Sequence, residues 1–203
     1  MSIHQQIMGR IASAKGGEIL FPSDFRGVGT DSAIKMSLSR IAKAGDLTRL
    51  SHGIYRKPKK SEKKDSIVLT PEEIVMAISE QEKIRVKPSG LYALFKLGFS
   101  KEMPSILTYV TEGEPRKIVV GEHVLVFKAT TPKKLSMKGP ISGLLIQALE
   151  EIGKLNITDE TEQKILDVLA KEDTKTLIED INKAPAWIYL LLIELLKKLN
   201  SKS

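Results

Sequence analysis

Thr30-Asp31-Ser32-Ala33-Ile34-Lys35-Met36-Ser37-Leu38-Ser39-Arg40-Ile41-Ala42-Lys43-Ala44-Gly45 is the stretch whose reading decides the fold. Ile34, Leu38 and Ile41 recur at the spacing of one apolar helical stripe, Thr30 or Asp31 is placed to cap the first turn, and Gly45 supplies the stop. The opposite face carries Ser32, Met36, Ser39 and Lys43, with Lys35 and Arg40 on its flanks and no carboxylate among them. An ordinary solvent-facing helix mixes both signs of charge and gains ion pairs by doing so. A helix that enters the major groove of DNA needs hydrogen-bond donors and small polar groups, with no carboxylate turned toward phosphate. The pattern predicts a groove-reading helix from Thr30 or Asp31 to about Lys43.

The flanks supply the partners of such a helix. Ile3, Ile7 and Ile11 predict an amphipathic helix over 3–14, ended by Lys15-Gly16-Gly17. Phe21-Pro22-Ser23-Asp24-Phe25 predicts a short second helix, with Gly27 and Gly29 punctuating the turn that follows. Downstream, Asp46-Leu47-Thr48-Arg49-Leu50 and Ile54-Tyr55-Arg56-Lys57 read as two short strands joined at Ser51-His52-Gly53, which makes a wing that Pro58 ends. Arg49, His52, Arg56 and Lys57 lie on or beside the wing, where phosphate or the minor groove is within reach. For His52 the plain alternative is an exposed turn residue with no special role.

Charge follows the same division. Residues 1–60 hold eleven Lys and Arg against four Asp and Glu, and the remainder of the chain holds 21 of each sign, so the net charge of +7 belongs to the first third. A basic excess confined to one small domain is the electrostatic footprint of a phosphate-backbone binder.

Composition excludes several classes. The chain has no cysteine, which removes disulfides and thiolate metal sites, and nothing points to an oxidising compartment. His4, His52 and His123 sit in separate segments without ligand spacing, and neither phosphate-binding glycine motif is present, so the sequence predicts no catalytic residues, no metal and no cofactor. Met1 to Arg10 lacks an apolar signal core, and the apolar run Ala184–Leu196 is too short to span a bilayer. The expected setting is cytoplasmic, with no membrane role.

Lys59-Lys60-Ser61-Glu62-Lys63-Lys64-Asp65-Ser66 is polar, charged and without period. It predicts a linker over 61–67 between a winged helix-turn-helix at 1–60 and a second domain at 68–203. Thr70-Pro71-Glu72-Glu73 opens a helix with a capping box. A short strand at Ile84-Arg85-Val86 precedes a helix at Pro88–Gly98 in which Leu91, Leu94 and Leu97 are expected to pack. Strands follow at 106–111, 117–120 and 123–129, the last two as a hairpin at Gly121-Glu122. From Pro140 helices are expected near 140–153, 159–171, 174–183 and 185–199, with Asp159 and Glu162 as a capping pair and the last helix, apolar almost all round, buried centrally or shared with another subunit. The fold class is α+β: an N-terminal winged helix-turn-helix, then a mixed α/β domain with a helical C-terminal part.

Two runs of residues carry a resemblance to a known family. Ala33-Ile34-Lys35-Met36-Ser37-Leu38-Ser39-Arg40-Ile41, Gly45, Leu47-Thr48-Arg49-Leu50 and Gly53-Ile54-Tyr55-Arg56-Lys57-Pro58 resemble the N-terminal winged helix-turn-helix of AbiEi-type antitoxins. Ser89-Gly90-Leu91-Tyr92-Ala93-Leu94-Phe95-Lys96-Leu97-Gly98, Met103-Pro104, Tyr109-Val110-Thr111-Glu112-Gly113 and Val126-Phe127-Lys128 look like the region that follows it in those proteins, so the similarity spans roughly residues 1–135. The resemblance implies a transcriptional regulator that represses its own operon at repeated double-stranded operator DNA. It also implies the antitoxin of a type IV, abortive-infection toxin-antitoxin system, with a nucleotidyltransferase-like toxin as functional counterpart and no stable complex required. On this reading Ser32, Lys35, Met36, Ser39, Arg40 and Lys43 form the groove face, and Arg49, His52, Arg56 and Lys57 serve the backbone. Two alternatives stand beside it: a ligand-responsive DNA-binding regulator without a toxin, and a protein-interaction module whose basic charge is incidental.

Overall fold

The computed structural model describes residues 1–59 and 70–200; the linker expected over 61–67 and the start of the second domain at 68 lie outside the described residues. The chain divides into two compact units, Met1–Ile78 with Ile118–Glu122, and Ser79–Lys117 with His123–Ser203. The fold is α+β, with the winged helix at the N-terminal end and the mixed α/β and helical parts after it.

The first unit opens with α1 (Ile3–Ser13), whose N-terminus is closed by a capping box between Ser2 and Gln5. The two-residue strand β1 (Ile19–Leu20) follows. A 3-10 turn, Pro22–Phe25, then stands where the short second helix is expected, and Asp24 accepts the Phe21 N–H at 2.7 Å. Next comes α2 (Asp31–Ala44), capped by the Thr30 hydroxyl, which accepts from the Ala33 N–H at 3.3 Å. Gly45 ends it at φ +93°, a left-handed turn that a side chain would disfavour. The wing is β2 (Thr48–Ser51) and β3 (Ile54–Arg56). Sheet order is β1-β3-β2, all antiparallel, so β3 is the central strand.

Ile7 and Ile11 of α1, Ile34, Leu38 and Ile41 of α2, and Phe25 and Tyr55 close one apolar core. Truncating one of these buried side chains to alanine removes about 2–5 kcal/mol, a large share of the stability of a small domain. α3 (Pro71–Glu82) begins as the sequence predicts, with Glu73 accepting the Thr70 N–H at 2.8 Å and the Thr70 hydroxyl accepting the Glu73 N–H at 3.3 Å.

The second unit contains β4 (Val86–Pro88), α4 (Gly90–Lys96), β5 (Ile106–Thr111), β7 (His123–Ala129) and the first residues of β6 (Arg116–Val120), and the strand order is β4-β5-β7-β6. β5 runs parallel to β7 and antiparallel to β4. Tyr92 meets Tyr109 at a tilted 57° with ring centroids 5.4 Å apart, and Tyr109 stacks on Phe127 at 5.8 Å. Where β5 ends, the Thr111 hydroxyl donates to the Arg85 carbonyl at 3.0 Å, and a Cβ at Gly113 would meet the Ile84 side chain at 2.7 Å. Five helices follow: α5 (Pro132–Leu135), α6 (Ser142–Ile152), α7 (Asp159–Leu169), α8 (Thr174–Ile181) and α9 (Ala186–Asn200). They enclose a core built on Leu145, Ile146, Leu149, Ile165, Leu177 and Leu192.

Three local expectations are corrected. Leu91 is 56% exposed, because α4 turns Tyr92 and Ala93 inward instead. The cap of α7 is Thr158, one residue before Asp159, and its hydroxyl accepts from the Thr161 N–H at 3.2 Å. The last helix joins the core through Ile188, Leu192 and Leu195 but is not buried all round, since Leu190 is 65% exposed. Among the described residues no helix is long and apolar enough to cross a membrane.

Candidate nucleic-acid interface

Core packing decides what α2 shows to solvent. Burial of Ile34, Ser37, Leu38 and Ile41 leaves Ser32, Lys35, Met36, Arg40 and Lys43 exposed and Ser39 half-buried on one arc. All six α2 residues expected at the groove therefore share one face. Two contacts tie α1 to the elements around it. His4 Nδ1 lies 3.1 Å from the Ser37 hydroxyl, joining α1 to the buried side of α2, and Arg10 donates to the Asp24 carbonyl at 3.0 Å across the 3-10 turn. Sequence spacing isolates His4, since its partner stands 33 residues away.

The wing splits the other four candidates into two pairs. Arg49 and His52 meet at the tip: the Arg49 guanidinium donates from Nη2 to His52 Nδ1 at 3.1 Å and from Nε to the Ser51 carbonyl at 3.4 Å. A guanidinium can only donate, so Nδ1 is the acceptor and this geometry keeps the imidazole proton on Nε2. The register breaks between Arg49 and Ser51, and Gly53 turns the chain at φ +71°. Together these features bring both side chains to the end of the hairpin.

Arg56 and Lys57 go elsewhere, which corrects their expected placement against phosphate. Arg56, on the central strand β3, is only 4% exposed. Lys57 continues the sheet beyond β3: its N–H donates to the Glu18 carbonyl at 2.9 Å, and its carbonyl accepts from Gly17 at 2.7 Å. Its ammonium then donates to the carbonyls of Ala12 and Ala14, each at 2.7 Å, at the C-terminus of α1. Helix C-termini leave carbonyls without intrahelical partners and carry partial negative charge, so a lysine there is a structural clamp.

Arg116 pairs with Glu82 at 2.7 Å and lies 5.2 Å from the Phe127 ring centroid, while Lys117 is exposed. Among the described residues no group of three or more His, Asp or Glu side chains converges as a metal ion requires.

Fold and site together define a winged-helix protein, with an exposed helix face of amine, guanidinium, hydroxyl and thioether groups in one unit and an Arg–His wing tip beside it in the sequence. The chain belongs to DUF6088, a family of unknown function, which matches it over residues 6–177. That span covers the winged helix, the second sheet and most of the helical part. No curated protein matches the chain.

Proposed function

We propose that this protein is a DNA-binding transcriptional regulator, with the AbiEi-like antitoxin that represses its own operon and opposes a nucleotidyltransferase-like toxin as the specific form. It acts in the cytoplasm, on double-stranded operator repeats, and is not an enzyme. The observation that carries the reading is the exposed face of α2. Lys35, Arg40 and Lys43 supply charge, Ser32 and Ser39 supply hydroxyls, Met36 supplies an apolar surface for a thymine methyl, and no carboxylate lies on the arc. Arg49 and His52 at the wing tip provide the adjacent backbone or minor-groove contact. The antitoxin part rests on the residue resemblance alone.

The test is a titration of the full-length protein against the duplex upstream of its own gene and against a scrambled duplex, across a salt series. Tighter binding to its own upstream DNA is expected, with affinity falling by orders of magnitude between about 50 and 200 mM salt as neutralised phosphates release counterions. Arg40→Ala and Lys43→Ala should each weaken binding by about 1–3 kcal/mol and leave the melting temperature nearly unchanged. Binding that ignores salt, or is absent from both duplexes, overturns the DNA reading and leaves the protein-interaction module. If binding is confirmed, co-expression with a nucleotidyltransferase-like toxin encoded beside this gene tests the antitoxin part: restored growth supports it, unrelieved toxicity refutes it.

A further inference from the structure

A cleft of about 340 Å³ opens in the second unit between β4, α4 and the segment leading into α6. Its apolar surface comes from Pro88, Met137 and Leu144, and three lysines, Lys87, Lys96 and Lys138, stand around it; no carboxylate is among the described residues that line it. The volume lies at the lower end of the range for small-molecule sites.

The segment forming one wall is held from behind. Asp180, fully buried, accepts the Lys138 N–H at 3.0 Å, the Gly139 N–H at 2.7 Å and the Ser142 hydroxyl at 2.8 Å. Glu172 accepts the Ile141 and Ser142 N–H groups at 2.9 and 2.8 Å. Lys183 donates to the Ser136 carbonyl at 3.1 Å, and Lys87 donates to the carbonyl of Met137. Asp180 and Glu172 are thus committed to this segment, and the wall is organised before any guest arrives, which lowers the cost of binding.

The ammonium groups of Lys87 and Lys138 keep capacity for an anion, and Lys96 stands beside them. Lys87 gives the Met137 carbonyl one of its three protons. Burial holds its pKa below the usual lysine range, against a partial restoring pull from Asp180 and with a further push from Lys183 and Arg85. Lys138 is 76% exposed and only 3.9 Å from Glu179, a pairing that solvent makes weak. Lys96 lies 6.0 Å over the Tyr92 ring.

We propose that this cleft binds a small organic anion with an apolar body, its carboxylate or sulfonate among the ammonium groups of Lys87, Lys96 and Lys138 and its apolar part against Pro88, Met137 and Leu144. The site is independent of the DNA reading, and its test does not use DNA. Octanoate serves as the probe and octanol as its uncharged counterpart. The full-length protein, labelled at the methionine methyls, is titrated by NMR, with Met137 assigned through Met137→Leu. The expected result is a saturable shift of the Met137 methyl with octanoate while Met8 and Met36 stay still, and affinity for octanol weaker by about tenfold or more. Lys96→Gln combined with Lys138→Gln, both on exposed side chains whose loss leaves the fold intact, should weaken octanoate binding by a similar factor. A Met137 methyl that does not move, equal affinity for octanoate and octanol, or an undiminished affinity in the double variant overturns the proposal.

Discussion

Arg49 and Lys57 are alike in sequence, two cations on one short hairpin, yet their side chains end in opposite environments. Arg49 folds onto His52 at an exposed tip, whereas Lys57 reaches the carbonyls of Ala12 and Ala14. Substitution should separate them. Lys57→Met is expected to lower unfolding free energy by roughly 1–2 kcal/mol in a urea titration, since two charge-assisted bonds at a helix C-terminus are lost, and to leave DNA affinity nearly untouched. Arg49→Ala should leave stability within about 0.5 kcal/mol and should weaken DNA binding, reducing the salt dependence by about one phosphate contact. If the two variants exchange these phenotypes, the wing has been assigned in reverse. The sequence could not separate them, because burial of Arg56 and redirection of Lys57 both depend on β1 pairing with β3. At two residues β1 is too short to display the alternation by which a strand is recognised.

At the scale of elements, periodicity located the long helices and the capping residues marked several of their ends, as Thr30 with Gly45 and Thr70 with Glu73 show. Periodicity does not say which neighbour covers a face, and that is where expectation and structure part. Leu91 carries the apolar pattern but the tilted contact of Tyr92 with Tyr109 sets the inward face of α4, and α9 is apolar beyond the face that its neighbours bury. The cleft lysines were illegible for a different reason, since Lys87, Lys96 and Lys138 come from distant segments and form no local motif. The loop entering α6 is likewise visible only in three dimensions. A Cβ on Gly139 would collide with the Ser142 hydroxyl and come within 2.6 Å of Glu172 and 3.1 Å of Asp180. Gly139→Ala should therefore break the carboxylate clamp. Asp180→Ala, which removes the buried partner of Lys183, of the Ser142 hydroxyl and of two backbone N–H groups, should cost about 3–5 kcal/mol by thermal or urea unfolding. A Gly139→Ala protein as stable as the parent would show that the clamp is not rigid.

For the whole molecule, the partition of charge is legible in the order of residues alone, and it assigns the two units different sensitivities. The first third holds the basic excess and, on the DNA-binding reading proposed above, should answer to salt through phosphate contact. In the second unit several carboxylates are held acidic by their surroundings. The Arg85 side chain and backbone N–H hold Glu112 down to about 2; the Lys164 ammonium lowers Glu160, and the Thr176 backbone N–H lowers Asp173. Burial pushes Asp180 upward, but hydrogen bonds from Gly139, Lys138, Ser142 and Lys183 outweigh it and leave its pKa lowered. A carboxylate whose folded pKa lies below its unfolded one adds stability that is fully present above the unfolded value and is lost as pH falls through the folded one. For Glu112 that interval runs from the ordinary value of 4.5 to about 2. Unfolding followed by urea titration should show stability unchanged from neutral pH to about 5 and falling between there and pH 3. Glu112→Gln makes the effect specific, because it removes the anion that Arg85 meets at 2.7 Å. That variant should be less stable than the parent at neutral pH, and the gap should narrow at pH 3, where the parent's own carboxylate is being protonated in the unfolded chain. A gap of the same size at both values would mean that the Arg85–Glu112 contact between the start of β4 and the end of β5 does not hold Glu112 acidic, and that the acid sensitivity lies with Asp180 and the clamp before α6.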